Sequence, residues 1–153
     1  MKNYWLLKSE GEAYPIDALK KDGKTPWSGV RNYQARNFMR DSMRVGDLCL
    51  FYHSGEKKGV FGIARVASKP YPDETQFDKK SHYYDEKSTR EKPVWMLVDI
   101  AFVKKFTQPL LLGVMRNDPE LSGMHMWRAG RLSVQPVSEA HFKHIVAEAQ
   151  LQA

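Results

Sequence analysis

Two apolar runs near the middle of the chain constrain its fold more than any other feature. They are GDLCLFYHS (46–54) and GVFGIARVAS (59–68), joined by the short polar link GEKKG. Aromatic and β-branched residues favour strands, and a short glycine-containing link favours a hairpin between them. Because no regular alternation of strand and helix surrounds the hairpin, it indicates a curved or barrel-like sheet rather than a doubly wound one.

The other predicted elements flank this hairpin on both sides. The longest run, VWMLVDIAFVKKF (94–106), is apolar on both faces apart from Asp99, which is typical of a central strand. The remaining strands are predicted at NYWLLK (3–8) and GRLSVQPV (130–137). Helices are predicted at 15–24, 33–42 and 109–117 and after the capping residue Ser138, with a turn over 25–32. Residues 72–93 are charged and lack any period, and a loop of that length is usually functional or disordered.

Length and cysteine usage set the class of protein. A chain of 153 residues fits one domain with a real hydrophobic core. The single Cys49 cannot form an internal disulfide, and it lies in an apolar run, so we expect an inert core thiol and a cytoplasmic protein. No stretch approaches the roughly 20 apolar residues that a membrane span needs, so no membrane partner is expected.

The positive charge is concentrated in the first half of the chain. The net charge is +6, and residues 1–71 hold 13 Lys and Arg against 7 Asp and Glu, which accounts for the whole excess. A polyanion such as nucleic acid is therefore a plausible partner. Charge alone does not decide the matter, because many basic proteins bind no nucleic acid.

Signals for catalysis or metal binding are weak. The chain has no G-x-S-x-G, no P-loop and no Rossmann glycine pattern. His141 and His144 share a helix face without a Cys or acidic ligand at the usual spacing, which indicates a helix surface rather than a metal site. Cys49 and His53 lie on one strand face, but nothing orients them as a nucleophile pair. We predict no metal, no cofactor and no enzymatic activity.

The stretch TPWSGVRNYQ (25–34) sets an aromatic residue among polar groups. Trp27 precedes Ser28 and Gly29, where glycine permits a ligand to approach the backbone closely. Arg31 and Asn32 follow, and an asparagine amide offers both a donor and an acceptor for a base edge. Two interpretations stay open for Trp27: a pocket wall, as in sites that pair one aromatic with several polar groups, or a core anchor for the loop.

Arginines recur every fourth residue after this stretch. Arg36, Arg40 and Arg44 would line one face of the predicted helix. That face could hold phosphates, or it could simply be a solvated helix surface.

Six segments together carry a family resemblance. They are YWLLKSE (4–10), WSGVRNYQARNFM (27–39), GDLCLFYHS (46–54), GIARV (62–66), YPD (71–73) and GRLSVQPV (130–137). This combination resembles the EVE domain family of the PUA-like superfamily, which is similar to the YTH domains that hold N6-methyladenine of RNA in an aromatic cage. The resemblance implies an α+β fold, a PUA-like pseudo-barrel of about five to six mixed strands with surrounding helices. It also implies one EVE domain over residues 1–153.

The resemblance further implies a pocket for a modified base. Trp27 would be the cage aromatic, the backbone of Ser28 would read the base, and Ser9 and Asn32 would be polar lining. The other implied ligand-binding residues are Glu10, Gly29, Val30, Tyr52, His53, Ser54, Tyr71, Asp73 and Trp127. The residues expected to hold the nucleic-acid backbone are Lys8, Arg31, Arg36 and Arg40.

Two points of the site stay open at the level of sequence. Trp127 is a candidate to complete the cage, with Trp95 as the alternative. The family usually reads K-S-E-P, whereas Gly11 stands here in place of the proline, which would loosen the wall formed by Ser9 and Glu10.

The sequence therefore predicts a non-enzymatic module that binds nucleic acid carrying a modified base, with modified cytosine in DNA favoured. The first alternative is an RNA-binding PUA-like module that acts in RNA processing. The second is an enzyme acting on a small modified nucleotide through His53 or Asp73. The third is a protein-interaction module with a vestigial pocket.

Overall fold

The computed structural model describes residues 3–151 as a mixed sheet with helices on both of its faces. The strands are β1 (Tyr4–Ser9), β2 (Lys24–Pro26), β3 (Leu48–His53), β4 (Gly59–Val66), β5 (Tyr71–Pro72), β6 (Met96–Leu97), β7 (Asp99–Leu111) and β8 (Val134–Val137). The α-helices are α1 (Ile16–Asp22), α2 (Tyr33–Asn37), α3 (Leu112–Arg116) and α4 (Glu139–Leu151). Over the described residues, no helix combines the length and hydropathy that crossing a bilayer would require.

Six strands form one curled sheet in the order β2-β7-β4-β3-β1-β8, and β5 and β6 form a separate two-stranded sheet. β3 and β4 are the predicted antiparallel hairpin, β1 runs parallel to β3, and β8 runs antiparallel to β1. Register shifts interrupt the pairing of β4 with both β3 and β7. Because bulges bend strands and increase their twist, they help to curl the sheet into a half-barrel.

Both faces of this sheet are buried. Side chains alternate along a strand, so Cys49 and Phe51 of β3 pack on one side while Leu50 and Tyr52 pack on the other. The first side is covered by α1 and α2 through buried residues that include Ile16, Leu19 and Ala35. The second side is covered by α3 and α4 through buried residues that include Met115, Phe142 and Ile145.

Local signals account for the helix ends. α1 stops at Gly23, whose φ of 77° lies in the left-handed region and whose N–H donates to the carbonyl of Leu19. Asn32 caps the N-terminus of α2, and its side-chain oxygen accepts from the N–H of Ala35. α2 then continues as a π-helical turn over Phe38–Ser42, so the predicted helix 33–42 is present with a widened second half.

The structure corrects both ends of the long predicted strand and the start of the helix that follows it. β7 begins at Asp99 and runs to Leu111, whereas the sequence predicts a strand over 94–106 and a helix from 109. Leu110 and Leu111 stay in the strand because they pair with Val60 and Gly59 of β4. A Cβ at Gly59 would lie 2.5 Å from the carbonyl oxygen of Leu110, so only glycine allows the two strands to approach this closely.

The predicted last strand shortens to Val134–Val137, β2 and β5 were not predicted, and β6 is a separate short strand within the run 94–106 that the sequence predicts as one strand. These three strands have two or three residues each, too few to show a period of two. β7 lies between β2 and β4, so its predicted interior position is confirmed. The structure also confirms the predicted α+β half-barrel with surrounding helices.

Candidate nucleic-acid interface

An open cleft of about 410 Å³ lies where the end of β1 meets the turn that follows β2. We call it the Trp27 cleft. Its lining residues are Lys8, Ser9, Glu10, Ala13, Tyr14, Thr25, Pro26, Trp27, Ser28, Gly29, Val30, Arg31, Tyr83 and Ser133. The cleft therefore brings the end of the motif YWLLKSE (4–10) together with the Trp-Ser-Gly turn (27–29), although 17 residues lie between Glu10 and Ser28.

Trp27 belongs to the core and to the cleft at the same time. Its side chain is only 9% exposed and packs edge-on against Phe51, with ring centroids 5.7 Å apart. Its backbone N–H donates to the carbonyl of Val98 at 3.0 Å, which ties the turn to the sheet. Both interpretations of this residue thus describe part of the geometry: the indole anchors the turn, and its exposed margin lines the cleft.

Two polar groups at the rim of the cleft remain available to a ligand. Glu10 and Ser28 are exposed, and within residues 3–151 neither the Glu10 carboxylate nor the Ser28 N–H has a protein hydrogen-bond partner. The hydroxyl of Ser9, by contrast, is buried and donates to the carbonyl of Tyr14 at 2.5 Å. The cleft can therefore present one anionic acceptor and one backbone donor to a bound molecule.

Asp73 fixes the Trp-Ser-Gly turn from behind. Its carboxylate is almost inaccessible to solvent and accepts from the N–H of Gly29 at 2.8 Å and from Thr75 at 2.6 and 2.9 Å. Burial alone would raise the pKa of Asp73, but the hydrogen bonds from Thr75, Gly29 and Arg31 outweigh it, so the pKa lies below its usual value. Asp73 is therefore an ionised structural group beneath the cleft rather than part of its lining.

Arg31 joins the segment 72–93 to the same turn through several hydrogen bonds. Its guanidinium pairs with Asp73 at 3.2 Å and donates to the carbonyl of Tyr83 at 2.8 and 3.2 Å and to Thr75 at 3.0 Å. The sequence predicts a backbone-phosphate contact for Arg31, but these partners occupy most of its donors. The structure gives Arg31 a positioning role instead.

Tyr83 lines the cleft together with Trp27 and Tyr14, and the sequence indicates neither tyrosine as a site residue. The Tyr83 side chain also constrains the Trp-Ser-Gly turn. Its ring lies over Gly29, where a Cβ would be 2.8 Å from the tyrosine Cζ, and Gly29 adopts a φ of 83°. The positive φ favours glycine at this position, and any larger residue would also have to displace the Tyr83 ring. The available signal was the length of the charged segment 72–93, which indicated a functional loop without showing which residue reaches the site.

The structure does not bring all the expected residues to the Trp27 cleft. Tyr52, Ser54 and Trp127 line a neighbouring cleft, where the indole N–H of Trp127 donates to the carbonyl of Leu121 at 2.7 Å. Trp95 also lies elsewhere, stacked on Tyr33 with ring centroids 4.9 Å apart. Neither candidate tryptophan completes the Trp27 cleft, because each is held against a different part of the fold.

His53 and Tyr71 also point away from the Trp27 cleft. His53 stacks on Phe61, and its Nε2 accepts from the N–H of Ile16 at 3.1 Å; burial lowers the pKa of His53 and favours the neutral ring. The hydroxyl of Tyr71 donates to Asp99, and burial followed by this bond raises the pKa of Tyr71 to about 12. Gly11 lies against His53, since a Cβ there would be 3.0 Å from Nδ1.

The polar residues of α2 and the following turn are engaged within the protein. Asn32 caps α2 with its side-chain oxygen. Arg36 donates to the carbonyl of Val94 at 2.9 Å, and Arg40 pairs with the adjacent Asp41 at 2.8 Å. None of the three lines the Trp27 cleft, whereas Lys8 does. The cationic residues that line the Trp27 cleft are therefore Lys8 of β1 and Arg31 of the turn after β2, rather than members of the arginine repeat.

The comparisons with known proteins agree over nearly the whole chain. The family model of the EVE domain matches residues 3–148. Mouse thymocyte nuclear protein 1 is 36% identical over 167 residues, which cover 96% of this chain and 74% of that protein. The structure of a hypothetical protein from Leishmania major has a TM-score of 0.96 at 45% identity, covering 99% of this chain and 97% of that one. The crystal structure of human THYN1 in complex with DNA containing 5-methylcytosine has a TM-score of 0.91 at 32% identity, covering 97% and 98%.

Proposed function

Because this chain belongs to the EVE domain family, we propose that it is a non-enzymatic reader of DNA that carries a modified base, with 5-methylcytosine favoured. The human relative that was crystallised with such DNA shares the fold over 97% of this chain. That relative supports the class of ligand, and the residues of the Trp27 cleft supply the argument for the base.

The observation that carries this proposal is that Glu10 and Ser28 line the same cleft as Trp27, and that within residues 3–151 neither the Glu10 carboxylate nor the Ser28 N–H has a protein hydrogen-bond partner. Cytosine has an exocyclic amino group that donates, together with ring and carbonyl acceptors on the same edge. A carboxylate is a common acceptor for that amino group, and a backbone N–H matches an acceptor next to it. The cleft thus offers the complement of a cytosine edge.

The proposed mechanism begins with extrusion of the base from its stack. The flipped ring would lie against the exposed margin of Trp27, with Tyr14 and Tyr83 as further aromatic residues of the cleft. Stacking of this kind stabilises binding by about 1–3 kcal/mol per base. A methyl group against an apolar wall adds only modest discrimination, so we expect the cytosine edge to provide more selectivity than the methyl group.

The absence of enzymatic activity is part of the proposal. The two residues considered as catalytic groups, His53 and Asp73, are both buried and both hold backbone N–H groups of the fold. These contacts support structural roles. We also propose a reducing compartment, the cytoplasm, because the single Cys49 can form no internal disulfide.

The first experiment is a fluorescence-anisotropy titration at fixed salt. The oligonucleotides are identical except for one central base: cytosine, 5-methylcytosine, 5-hydroxymethylcytosine, adenine or N6-methyladenine, each in DNA and in RNA. We expect the tightest binding for 5-methylcytosine in DNA. A preference for RNA would instead indicate an RNA-binding module, because only a contact to the 2′-hydroxyl distinguishes the sugars at one site.

The sharper experiment uses Glu10→Ala with thymine as the competing base. Thymine carries the same methyl group as 5-methylcytosine but has an acceptor where cytosine has its amino donor. We expect Glu10→Ala to lower the preference for 5-methylcytosine over thymine by about 5- to 150-fold, the equivalent of about 1–3 kcal/mol. The matched control is Glu12→Ala, an exposed carboxylate two residues away that does not line the cleft.

An unchanged preference in Glu10→Ala would contradict the proposed readout. Glu10 is a better probe than Trp27, because Trp27→Ala deletes a core side chain and should cost about 3–5 kcal/mol of stability.

A further inference from the structure

A second cleft, of about 460 Å³, adjoins the Trp27 cleft. Lys8 and Ser133 line both of them, so the two form adjoining depressions on one surface. We call the second one the basic cleft. Its lining residues are Lys8, Tyr52, Ser54, Lys58, Leu112, Arg116, Met126, Trp127, Gly130, Arg131 and Ser133. These residues come from β1, β3, the β3–β4 link, α3 and the segment before β8, which the fold brings together.

The charge of the basic cleft has one sign. Lys8, Lys58, Arg116 and Arg131 line it, and no Asp or Glu does. Within residues 3–151, the side chains of Lys58, Arg116 and Arg131 form no ion pair and donate no hydrogen bond to the protein. This distinguishes them from Arg31, Arg36 and Arg40, each of which donates hydrogen bonds to protein acceptors. The basic cleft therefore offers an anion three cationic side chains that form no ion pair within the described residues: Lys58, Arg116 and Arg131.

The floor of the basic cleft is apolar and fixed. Trp127 is held by its indole hydrogen bond to Leu121, and the Arg116 guanidinium carbon lies 5.8 Å from the Trp127 ring centroid. Lys8 is anchored by donation to the carbonyl of Gly130, with its Nζ 5.6 Å from the ring centroid of Tyr52. Burial, and then the positive charge of Lys58, lower the pKa of Lys8. An anion in the cleft would relieve this repulsion.

We propose that the basic cleft holds the phosphodiester groups that flank the extruded nucleotide on the same strand. This inference rests on the proposed function of the Trp27 cleft and extends it to the path of the strand. The strand would pass over Lys8, which stands between the two clefts, and continue along Lys58, Arg116 and Arg131. Contacts of this type set affinity and register but carry no base preference.

The test is a double variant, Lys58→Gln with Arg131→Gln, titrated with 5-methylcytosine and cytosine oligonucleotides over a range of salt concentrations. Both side chains are exposed, so the fold should not depend on them. The matched control is Lys20→Gln with Lys69→Gln, which removes the same charge from exposed positions outside both clefts. Each phosphate contact contributes about 0.7–0.9 to the slope of log K against log salt.

We expect the cleft variant to reduce this slope by about 1.4–1.8 relative to the control and to weaken binding of both oligonucleotides by the same factor. A slope equal to that of the control overturns the inference. Loss of the base preference in the cleft variant also overturns it, because the cleft would then take part in reading the base.

A second measurement locates the contact on the strand. A neutral methylphosphonate replaces one phosphate at a time on either side of the modified base. We expect the wild type to lose affinity at one or two adjacent linkages and the cleft variant to show no further loss there, since the contact is already gone. If the wild type binds modified and unmodified bases equally, the proposed function fails, while the slopes still decide the role of the basic cleft.

Discussion

Asp73 accepts four hydrogen bonds in a position that is almost closed to solvent. Its partners are Gly29, Arg31 and Thr75, so one carboxylate joins the Trp-Ser-Gly turn to the start of the segment 72–93. A buried charge is tolerated only when it is paired and hydrogen-bonded, which this arrangement provides. The shape of the Trp27 cleft therefore depends on a group that does not line it.

We expect Asp73→Asn to destabilise the protein by about 1.5–3 kcal/mol near neutral pH, the range for hydrogen bonds to a buried charged group. The control is Glu91→Gln, which removes an exposed carboxylate. Urea unfolding gives the comparison. Folding lowers the pKa of Asp73. The stability that the ionised carboxylate provides is therefore fully present above the ordinary pKa of 3.8 and is lost as pH falls through the lower pKa of the folded state. Equal stability of the two variants at neutral pH would contradict this role.

Among the elements, α4 is joined to the turn at Asp118 by an ion pair between distant parts of the chain. His144 Nε2 lies 2.7 Å from Asp118 Oδ2, and Asp118 begins a short 3-10 turn before α4. The acceptor of His144 is thus 26 residues away, whereas the sequence shows only a helix surface at His141 and His144. Asp118, His144 and Glu148 offer ligand atoms within 4.8 Å of one another.

The His144–Asp118 pair predicts a pH-dependent stability. The hydrogen bond that His144 donates to the Asp118 carboxylate raises the pKa of His144 and lowers the pKa of Asp118. The stabilisation is complete between the ordinary values of 3.8 and 6.5. It is lost as pH rises through the raised folded pKa of His144 and as pH falls through the lowered folded pKa of Asp118.

We therefore expect Asp118→Asn to lower the thermal midpoint clearly at about pH 5.5 and much less at about pH 9, where His144 is neutral in either protein. Asparagine keeps the capping oxygen that accepts from the N–H of Glu120, so the turn itself should persist. A penalty that is the same at both pH values would show that the pair contributes through packing or capping rather than through charge.

At the scale of the whole molecule, the sheet is an interior layer between two apolar clusters. Cys49 lies in β3 and has no exposed surface, and burial, with a smaller effect from Asp47, raises the pKa of its thiol. Its neighbours in the sheet are β1 and β4, which are themselves flanked by β8 and β7. Exposure of this thiol therefore requires the sheet to open.

We expect a thiol reagent to label Cys49 only at the rate at which the whole protein unfolds, so that labelling in rising urea follows the loss of circular dichroism. The control is a Cys49→Ala, Ser122→Cys variant, whose new thiol is exposed and should react at once in the native protein. Rapid labelling of wild-type Cys49 without denaturant would mean that the sheet opens locally.

Most of the regular elements and the family can be predicted from the sequence, because both depend on local residue patterns. The hairpin of β3 and β4 and the interior strand β7 appear as apolar runs, the helix after Ser138 as an apolar period, and the family as six short motifs. The end of β7 was missed because Leu110 and Leu111 pair with residues 50 and 52 positions earlier in the chain. The prediction of a single EVE domain over residues 1–153 stays a prediction.

The grouping of the site residues follows from the tertiary structure and could not be predicted from the sequence. Tyr52 and Trp127 were expected beside Trp27, but they line the basic cleft, and Tyr83 takes a place in the Trp27 cleft instead. Arg31 has the residue type of a phosphate contact, yet its donors are taken up by Asp73, Thr75 and a backbone carbonyl. The type of a residue determines which hydrogen bonds its side chain can form. The partner of each bond depends on which distant segments the curled sheet brings within hydrogen-bond distance.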